Sequence, residues 1–154
     1  MFEEPSIEQR DEQPYVALST SITMQGYGVI GPMFGELFAW LDERGITPAG
    51  PPFIRYLVID MENLLDIEVA IPVAVLPPTD DRVVTGTLPA GSYVTLTYSE
   101  DGIEANAHLQ QWARDRGLRW KNGLRDGQEL WGGRIEISTE DGSESTAAYL
   151  IEDE

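Results

Sequence analysis

Two stretches of this chain match each other at a constant spacing, and this internal repeat constrains the fold more than any other feature. The matching residue types are leucine, tryptophan, arginine and glycine, at Leu37, Trp40, Arg44 and Gly45 and again 72 residues later at Leu109, Trp112, Arg116 and Gly117. A fixed internal period is typical of a duplicated structural unit. Two related units usually pack around a pseudo-two-fold axis, and the cleft between them is a natural place for a ligand.

The elements predicted around the repeat have the same order in both halves: strand, helix, strand, strand. The first half has strands over 15–24, 53–60 and 66–75, and a helix with Pro32 in its first turn and Gly45 just past its end. The second half has strands over 92–98, 134–138 and 146–151, a helix over 103–116 and a turn at Asp141-Gly142. We therefore predict an α+β fold with two pseudo-symmetric β-α-β-β repeats, an antiparallel sheet with helices on one face, and a ligand cleft between the repeats.

The length of the chain indicates one domain. The 154 residues fall within the usual range of a single domain, and the hydrophobic fraction of 42% is enough for a core. Residues 1–13 are predicted to be a flexible acidic lead, and residues 14–154 a single domain with repeat one over 14–76 and repeat two over 83–152. Residues 118–128 are polar and are predicted to be irregular.

Several classes of site are disfavoured by composition. The chain has no cysteine and one histidine, so we expect no disulfide, no metal site and no cofactor. Gly26, Gly28 and Gly31 have the spacing of a dinucleotide-binding loop, but the βαβ unit that such a loop needs is not predicted, and a flexible rim explains them better. No apolar run is long enough to span a membrane and the first residues do not resemble a signal peptide, so a cytoplasmic protein is expected.

The strong negative charge limits the partners. A formal net charge of −17 argues against direct binding of nucleic acid, because phosphate contacts need clustered lysine and arginine. Two interpretations remain: a solubilising surface, or an electric field that gathers cations or engages a basic partner.

Strand alternation places side chains relative to the expected cleft. Ile135 and Ile137 are expected to face the helix of their half, so that Arg134 and Glu136 point the other way, toward the opposite half. The same alternation in the first half assigns Tyr56, Val58 and Glu68 to the cleft side.

Glu136 is the central candidate because it interrupts an Ile-Glu-Ile strand beside the predicted cleft. A carboxylate in an apolar groove favours a cationic or hydrogen-bond-donating ligand, and aromatic side chains would add cation–π attraction. The alternative is that Glu136 pairs with Arg134 or faces water. Four aromatic residues either line the cleft or pack in the core. They are Trp131, which precedes Gly132-Gly133, and Tyr56, Tyr93 and Tyr149.

Several segments together resemble the GyrI-like small-molecule-binding domain. They are Gly31-Pro32 before the first helix, Arg55-Tyr56, the run 88–93 (Leu-Pro-Ala-Gly-Ser-Tyr) and the run 131–136 (Trp-Gly-Gly-Arg-Ile-Glu). This family is built from a duplicated SHS2 module and also forms the effector-binding half of multidrug-sensing transcription regulators. The resemblance implies that hydrophobic, often cationic aromatic ligands bind in the cleft, with Glu136 matching a buried glutamate that anchors them. The segment that follows this glutamate in the family, Tyr-x-x-(Asp)-Pro, is replaced here by residues 137–141.

Three functions are compatible with these observations. The favoured one is a stand-alone protein that binds a hydrophobic or cationic small molecule through Glu136. The second, implied by the resemblance, is a hydrolase of cyclopropanoid genotoxins with Glu136 as catalytic residue. The third is a protein binder like the gyrase inhibitors. A helix-turn-helix does not fit in residues 1–13, so DNA would be reached only through a separate protein partner, and both a monomer and a homodimer remain open.

Overall fold

A computed structural model describes residues 4–23, 25–60, 64–99, 101–125, 127–138 and 143–152. The two helices are α1 (Ile30–Glu43) and α2 (Gly102–Asp115). The strands are β1 (Ser6–Arg10), β2 (Gln13–Ile22), β3 (Phe53–Ile59), β4 (Leu65–Pro72), β5 (Val84–Leu88), β6 (Gly91–Tyr98), β7 (Asn122–Arg125), β8 (Gln128–Trp131), β9 (Arg134–Ser138) and β10 (Ser145–Leu150).

Eight strands form one antiparallel sheet in the order β1-β6-β10-β9-β3-β4-β2-β5, while β7 and β8 form a separate hairpin. The centre of the sheet is the pairing of β3 with β9, where Ile54 lies opposite Glu136 and Arg55 opposite Ile135. This junction joins the strands β2, β3 and β4 of the first half of the chain to β6, β9 and β10 of the second, while the two edge strands cross over: β1 pairs with β6 and β5 with β2. The architecture is therefore α+β, with an antiparallel sheet and two helices, as predicted.

The ends of both helices and the start of α2 are explained by their local sequence. Gly45 and Gly117 follow the helices with φ of 66° and 69°, a conformation that glycine adopts without steric cost. Asp101 caps α2, where its carboxylate accepts a hydrogen bond from the backbone N–H of Glu104 at 3.0 Å.

The tryptophan and arginine of the repeated stretch have the same contact in each helix. The Arg44 guanidinium lies 3.9 Å from the ring centroid of Trp40, and the Arg116 guanidinium lies 3.8 Å from that of Trp112. Each arginine also donates to the backbone carbonyl of its tryptophan, at 3.1 Å and 3.2 Å. Residues four apart on a helix are neighbours, so this spacing allows the stacking that shields the last turn.

Both helices pack on one face of the sheet, and the other face is buried as well. Glu136 lies opposite Ala147, which packs in the cluster around α2, so Glu136 points to the helix-bearing face. Ile135 and Ile137 belong to the cluster on the opposite face, with Phe53 and Ala148. The prediction that the isoleucines of β9 face the helix is therefore wrong. Both faces of the sheet are buried and need apolar side chains, so an apolar residue does not identify the face that carries the helices.

Two predicted irregular segments are strands. The prediction of a flexible acidic lead over residues 1–13 is wrong for Ser6–Arg10. These residues form β1, which pairs with β6 from Ser6 opposite Thr95 to Arg10 opposite Gly91. Four of the five β1 residues are exposed, so backbone hydrogen bonds rather than apolar burial hold this edge strand, and the sequence pattern does not reveal it. The segment 118–128 contains β7 and the start of β8. The predicted turn at Asp141-Gly142 lies outside the described residues.

The segment between β4 and β5 is fastened to α1 by Asp80. Its carboxylate accepts hydrogen bonds from the indole N–H of Trp40 at 3.0 Å and from the backbone N–H groups of Arg82 and Val83 at 2.9 Å and 3.0 Å. The bond from Trp40, followed by the two backbone bonds, lowers the pKa of Asp80 from 3.8 to about 2.

This lowered pKa predicts a specific acid sensitivity. Because the folded-state pKa of Asp80 lies below its unfolded value, its contribution to stability is complete above pH 3.8 and is lost as the pH falls to about 2. We expect Asp80→Asn to lower the Tm at neutral pH and to flatten the decline of Tm across this acid window. Thermal unfolding followed by circular dichroism would measure this, with the exposed neighbour Asp81→Asn as control. Parallel acid profiles for the wild type and Asp80→Asn would contradict the prediction.

Candidate functional site

A cavity of about 620 Å³ lies on the helix-bearing face, above the central strands β3 and β9. One side is formed by the first half of α2 and another by the short 3-10 turn Tyr27–Val29 that precedes α1. The lining residues come from both halves of the chain: Tyr27, Tyr56, Ile59, Leu65, Tyr98, Gly102, Ile103, Asn106, Ala107, Gln110, Arg134, Ile135 and Glu136.

Glu136 lies in this cavity and is half-buried. The Tyr56 hydroxyl donates to a carboxylate oxygen of Glu136 at 3.4 Å, and the Tyr98 phenol also lines the cavity, close enough to feel the charge of the same carboxylate. Among the described residues, no cation forms a salt bridge with Glu136. The prediction left open a pairing with Arg134, and the structure does not place these two side chains in an ion pair.

The two phenols beside Glu136 remain neutral donors. Burial, and then the negative charge of Glu136, raises the pKa of Tyr56 and that of Tyr98. Because ionisation of either phenol would place a second negative charge beside the carboxylate, both stay protonated over the physiological range. Glu136 therefore accepts a hydrogen bond from Tyr56, lies beside the neutral phenol of Tyr98 and keeps acceptor capacity for a ligand.

Tyr27 extends this network to the rim of the cavity. Its hydroxyl lies 3.0 Å from that of Tyr56, and because Tyr56 donates to Glu136, Tyr27 is the donor in this pair. Tyr27 stands between Gly26 and Gly28 and is partly exposed. The sequence analysis predicted a rim at these glycines but missed the tyrosine that they flank.

Arg134 occupies an aromatic cage at the other side of the cavity. Its guanidinium carbon lies 4.4 Å from the ring centroid of Tyr149, 4.6 Å from that of Trp131 and 5.7 Å from that of Tyr56. A guanidinium stacked on aromatic faces is held in place while its N–H donors remain in the plane of the group. The cavity thus contains one fixed positive and one fixed negative side chain, two residues apart on β9.

Trp131 and Tyr149 support Arg134 from behind rather than line the cavity. Tyr149 is fully buried, and its ring meets that of Trp131 edge-on with centroids 5.4 Å apart. The Tyr149 hydroxyl donates to the Asn106 side chain at 2.6 Å and accepts from Gln110 at 3.2 Å, which ties α2 to the sheet. These two aromatic side chains therefore combine the two roles that the sequence left open, packing in the core and shaping the site.

Three residues expected at the cleft lie elsewhere. Glu68 lies opposite Arg55, on the face away from the helices, and accepts a hydrogen bond from Tyr15. A β-bulge between Tyr56 and Val58 shifts the alternation by one residue, so Val58 turns away from the cavity and Ile59 takes its place.

Tyr93 is the third of these residues. It is buried in the cluster on the face away from the helices, and its hydroxyl donates to the Pro89 carbonyl at 2.7 Å. Within the parts of the chain that the structure describes, Tyr93, Val58 and Glu68 are not cavity-lining, and their assignment to the cleft is corrected.

Several lining residues escaped the sequence prediction. Tyr98 could have been found, because it continues the inward alternation of Val94 and Leu96 in β6. The α2 residues Ile103, Asn106 and Gln110 could not, because the helix was expected to turn only its core face toward the sheet.

Over the described ranges there is no group of three histidine, aspartate or glutamate residues that could hold a metal ion. Neither described helix is long and apolar enough to cross a membrane.

Comparison with solved structures shows the fold. The C-terminal domain of EcmrR aligns with a TM-score of 0.70 and 17% identity over 100% of this chain and 99% of that domain. In the complex of EcmrR with DNA, this chain spans only 58% of the EcmrR chain. A hydrolase from Listeria innocua aligns with a TM-score of 0.64 and 12% identity, covering 97% of this chain and 92% of that one.

A further similar structure contains a ligand. SAV2435 bound to tetraphenylphosphonium aligns with a TM-score of 0.57 and 8% identity over 97% of this chain and 94% of its own. No curated protein matches the sequence. The model of the GyrI-like small-molecule-binding domain matches residues 3–121, which is most of the chain but ends before β9. With this match and the fold described above, the chain belongs to the family of GyrI-like small-molecule-binding domains.

Proposed function

We propose that this protein binds hydrophobic aromatic molecules that present a positive charge or a hydrogen-bond donor to Glu136. The observation that carries the proposal is the half-buried Glu136 carboxylate, which reaches the cavity between two neutral phenols and has no ion-pair partner among the described residues. A carboxylate in such surroundings attracts a cation more strongly than it would in bulk water.

The walls of the cavity suit an aromatic ligand. Tyr27, Tyr56 and Tyr98 present ring surface, and Ile59, Leu65 and Ile103 add apolar surface. Aromatic side chains near a bound cation contribute about 0.5–2 kcal/mol each. The tetraphenylphosphonium in SAV2435 is a ligand of this class, and it supports the proposal for a cavity on the same fold.

Tetraphenylphosphonium and tetraphenylborate, which have nearly the same shape and opposite charge, test the role of Glu136. We expect the wild type to bind the phosphonium more tightly, and Glu136→Gln to weaken this binding about tenfold, or about 1.4 kcal/mol. The same substitution is expected to strengthen binding of the borate, because it removes a repulsion. Isothermal titration calorimetry measures both ions on both proteins.

A surface variant separates the local effect of Glu136 from the overall charge of the protein. Glu43→Gln removes one negative charge from an exposed position at the end of α1, so its affinities should match those of the wild type. Equal phosphonium affinities for the wild type and Glu136→Gln would show that Glu136 is not the anchor.

A second candidate function is hydrolysis, and the hydrogen bond from Tyr56 to Glu136 favours it specifically. A carboxylate beside a protonated phenol can act as a general base that takes a proton from water, while the phenol donates its own proton to the leaving oxygen or carbon. The hydrolase from Listeria innocua shares the fold. Incubation with a cyclopropane-containing genotoxin, followed by mass spectrometry, separates the functions: a product with one added water that Glu136→Gln abolishes indicates an enzyme, and unchanged ligand indicates a binding protein.

We further infer that the two halves arose by duplication of one unit. The Val73 N–H donates to the Pro14 carbonyl at 3.0 Å, and the Ile151 N–H donates to the Ser92 carbonyl at the same distance. Both partners in the second bond lie 78 residues after those in the first. This correspondence, with the stacked tryptophan and arginine of each helix, supports a pseudo-two-fold arrangement with the ligand at its centre.

A further inference from the structure

The aromatic cage of the cavity is already filled by a side chain of the protein. The Arg134 guanidinium stands within 4.4–5.7 Å of three aromatic ring centroids, from Tyr149, Trp131 and Tyr56. These ring faces are what a ligand cation would otherwise contact. A simple cation that enters this part of the cavity meets a fixed positive charge instead of an open cage.

The same stacking leaves Arg134 able to hold an anion. The guanidinium carbon lies over the rings of Trp131 and Tyr149, and a guanidinium stacked on aromatic rings keeps its N–H donors free in its own plane, in the fork geometry that matches a carboxylate or phosphate. Within the described ranges, no carboxylate forms a salt bridge with this guanidinium. Arg134 lines the cavity, so an acidic group of a ligand in the cavity can reach its side chain.

Arg134 and Glu136 together define a pair of opposite charges with a set spacing. They lie two residues apart on the same face of β9, and an extended strand separates such positions by about 6.6 Å.

We propose that Arg134 determines the specificity of the cavity, selecting aromatic ligands that carry an acidic group beside Arg134 as well as a cationic or donor group beside Glu136. The preferred ligand is then a zwitterion rather than a simple lipophilic cation. This inference rests on the proposed function, because it names the class of molecule that the Glu136 cavity takes.

Two dyes that differ by one ester test the proposal. Rhodamine 6G is a monocation because its carboxyl group is an ethyl ester, and the free acid of the same dye is a zwitterion at neutral pH. We expect fluorescence polarisation to show at least fivefold tighter binding of the free acid to the wild type. Arg134→Met, which keeps a long side chain against the rings without its charge, should abolish or reverse this preference.

Further variants isolate the charge of Arg134. Arg134→Lys should retain part of the preference for the free acid, and Arg134→Gln should lose it, which also covers the case that Arg134→Met folds poorly. Arg114→Met removes a positive charge from an exposed position on α2 and should leave the ratio of the two affinities unchanged. Thermal unfolding of each variant verifies that the folded protein is compared.

The outcomes separate this inference from the proposed function. If both dyes bind and Glu136→Gln weakens both, but the free acid is not preferred or the preference survives Arg134→Met, the inference about Arg134 is wrong and the proposed function stands. If both dyes bind with no dependence on Glu136, the proposed role of Glu136 as anchor is wrong. The ratio of the two dye affinities in the wild type and in Arg134→Met then still shows whether Arg134 selects the free acid. Binding of neither dye to the wild type overturns both proposals.

Discussion

Gly132→Ala is expected to destabilise the protein by about 3 kcal/mol or more, because the added methyl group has no space. A Cβ at position 132 would stand 2.0 Å from the carbonyl oxygen of Lys121. Because the obstacle is backbone rather than the end of a flexible side chain, the chain on both sides must move apart. Such a displacement also breaks the hydrogen bond that the Arg55 guanidinium donates to the Gly132 carbonyl at 2.9 Å.

Urea denaturation of Gly132→Ala and Gly123→Ala measures this effect against a matched control. Gly123 lies opposite Leu130 in the neighbouring hairpin, and a Cβ there meets nothing within 4 Å. Gly123→Ala should therefore leave the unfolding midpoint nearly unchanged. Similar midpoints for the two variants would show that the close approach of Gly132 to Lys121 is not a real constraint on the fold.

The consequence for the site follows from the position of Gly132. It joins Trp131, which stacks on Arg134, to β9, which contains Arg134 and Glu136. Any variant of Gly132 that folds should therefore have weakened ligand binding. The pair Gly132-Gly133 allows this part of the backbone to pass close to other strands while both side chains of the site stay on one face.

Leu109→Ala should cost about 2–5 kcal/mol of unfolding free energy, the usual range for a buried leucine. Leu109 is 0% exposed and packs between α2 and the sheet, in the cluster that contains Val94, Leu96 and Tyr149. Removing its side chain leaves a cavity that the surrounding strands cannot fill. Because α2 forms one side of the ligand cavity, this loss also loosens the wall that carries Asn106 and Gln110.

Ile103→Ala on the same helix provides the comparison. Ile103 is 71% exposed and lies at the rim of the cavity, so its truncation should change the unfolding free energy by less than about 0.5 kcal/mol. Chemical denaturation of both variants measures the difference. A cost for Ile103→Ala as large as that for Leu109→Ala would mean that α2 is packed through a different face.

The helices were predictable because their signals are local. Gly45 and Gly117 mark the helix ends through a backbone conformation that glycine tolerates best, and Asp101 supplies the cap of α2. The stacking of Arg44 on Trp40 also depends only on residues one turn apart. Such interactions form between neighbours in sequence and need no knowledge of the rest of the fold.

The site was predicted only in part, because strand alternation does not say which face carries a helix. Ile135 and Glu136 alternate as expected, but both faces of the sheet are buried, so the apolar residue did not identify the helix side. The bulge after Tyr56 also shifts the alternation of β3, so Ile59 rather than Val58 lines the cavity. Neither the second buried face nor the bulge leaves a signal within the strand itself.

Periodicity, caps and the spacing of like residues were enough to predict the α+β class, the positions of both helices and most strands. Three-dimensional packing alone established that the cavity lies beneath the helices, that Tyr27 reaches Glu136 through Tyr56, and that Arg134 fills an aromatic cage. The physical reason is that these contacts join residues far apart in the chain, and pairing of β3 with β9 brings them together.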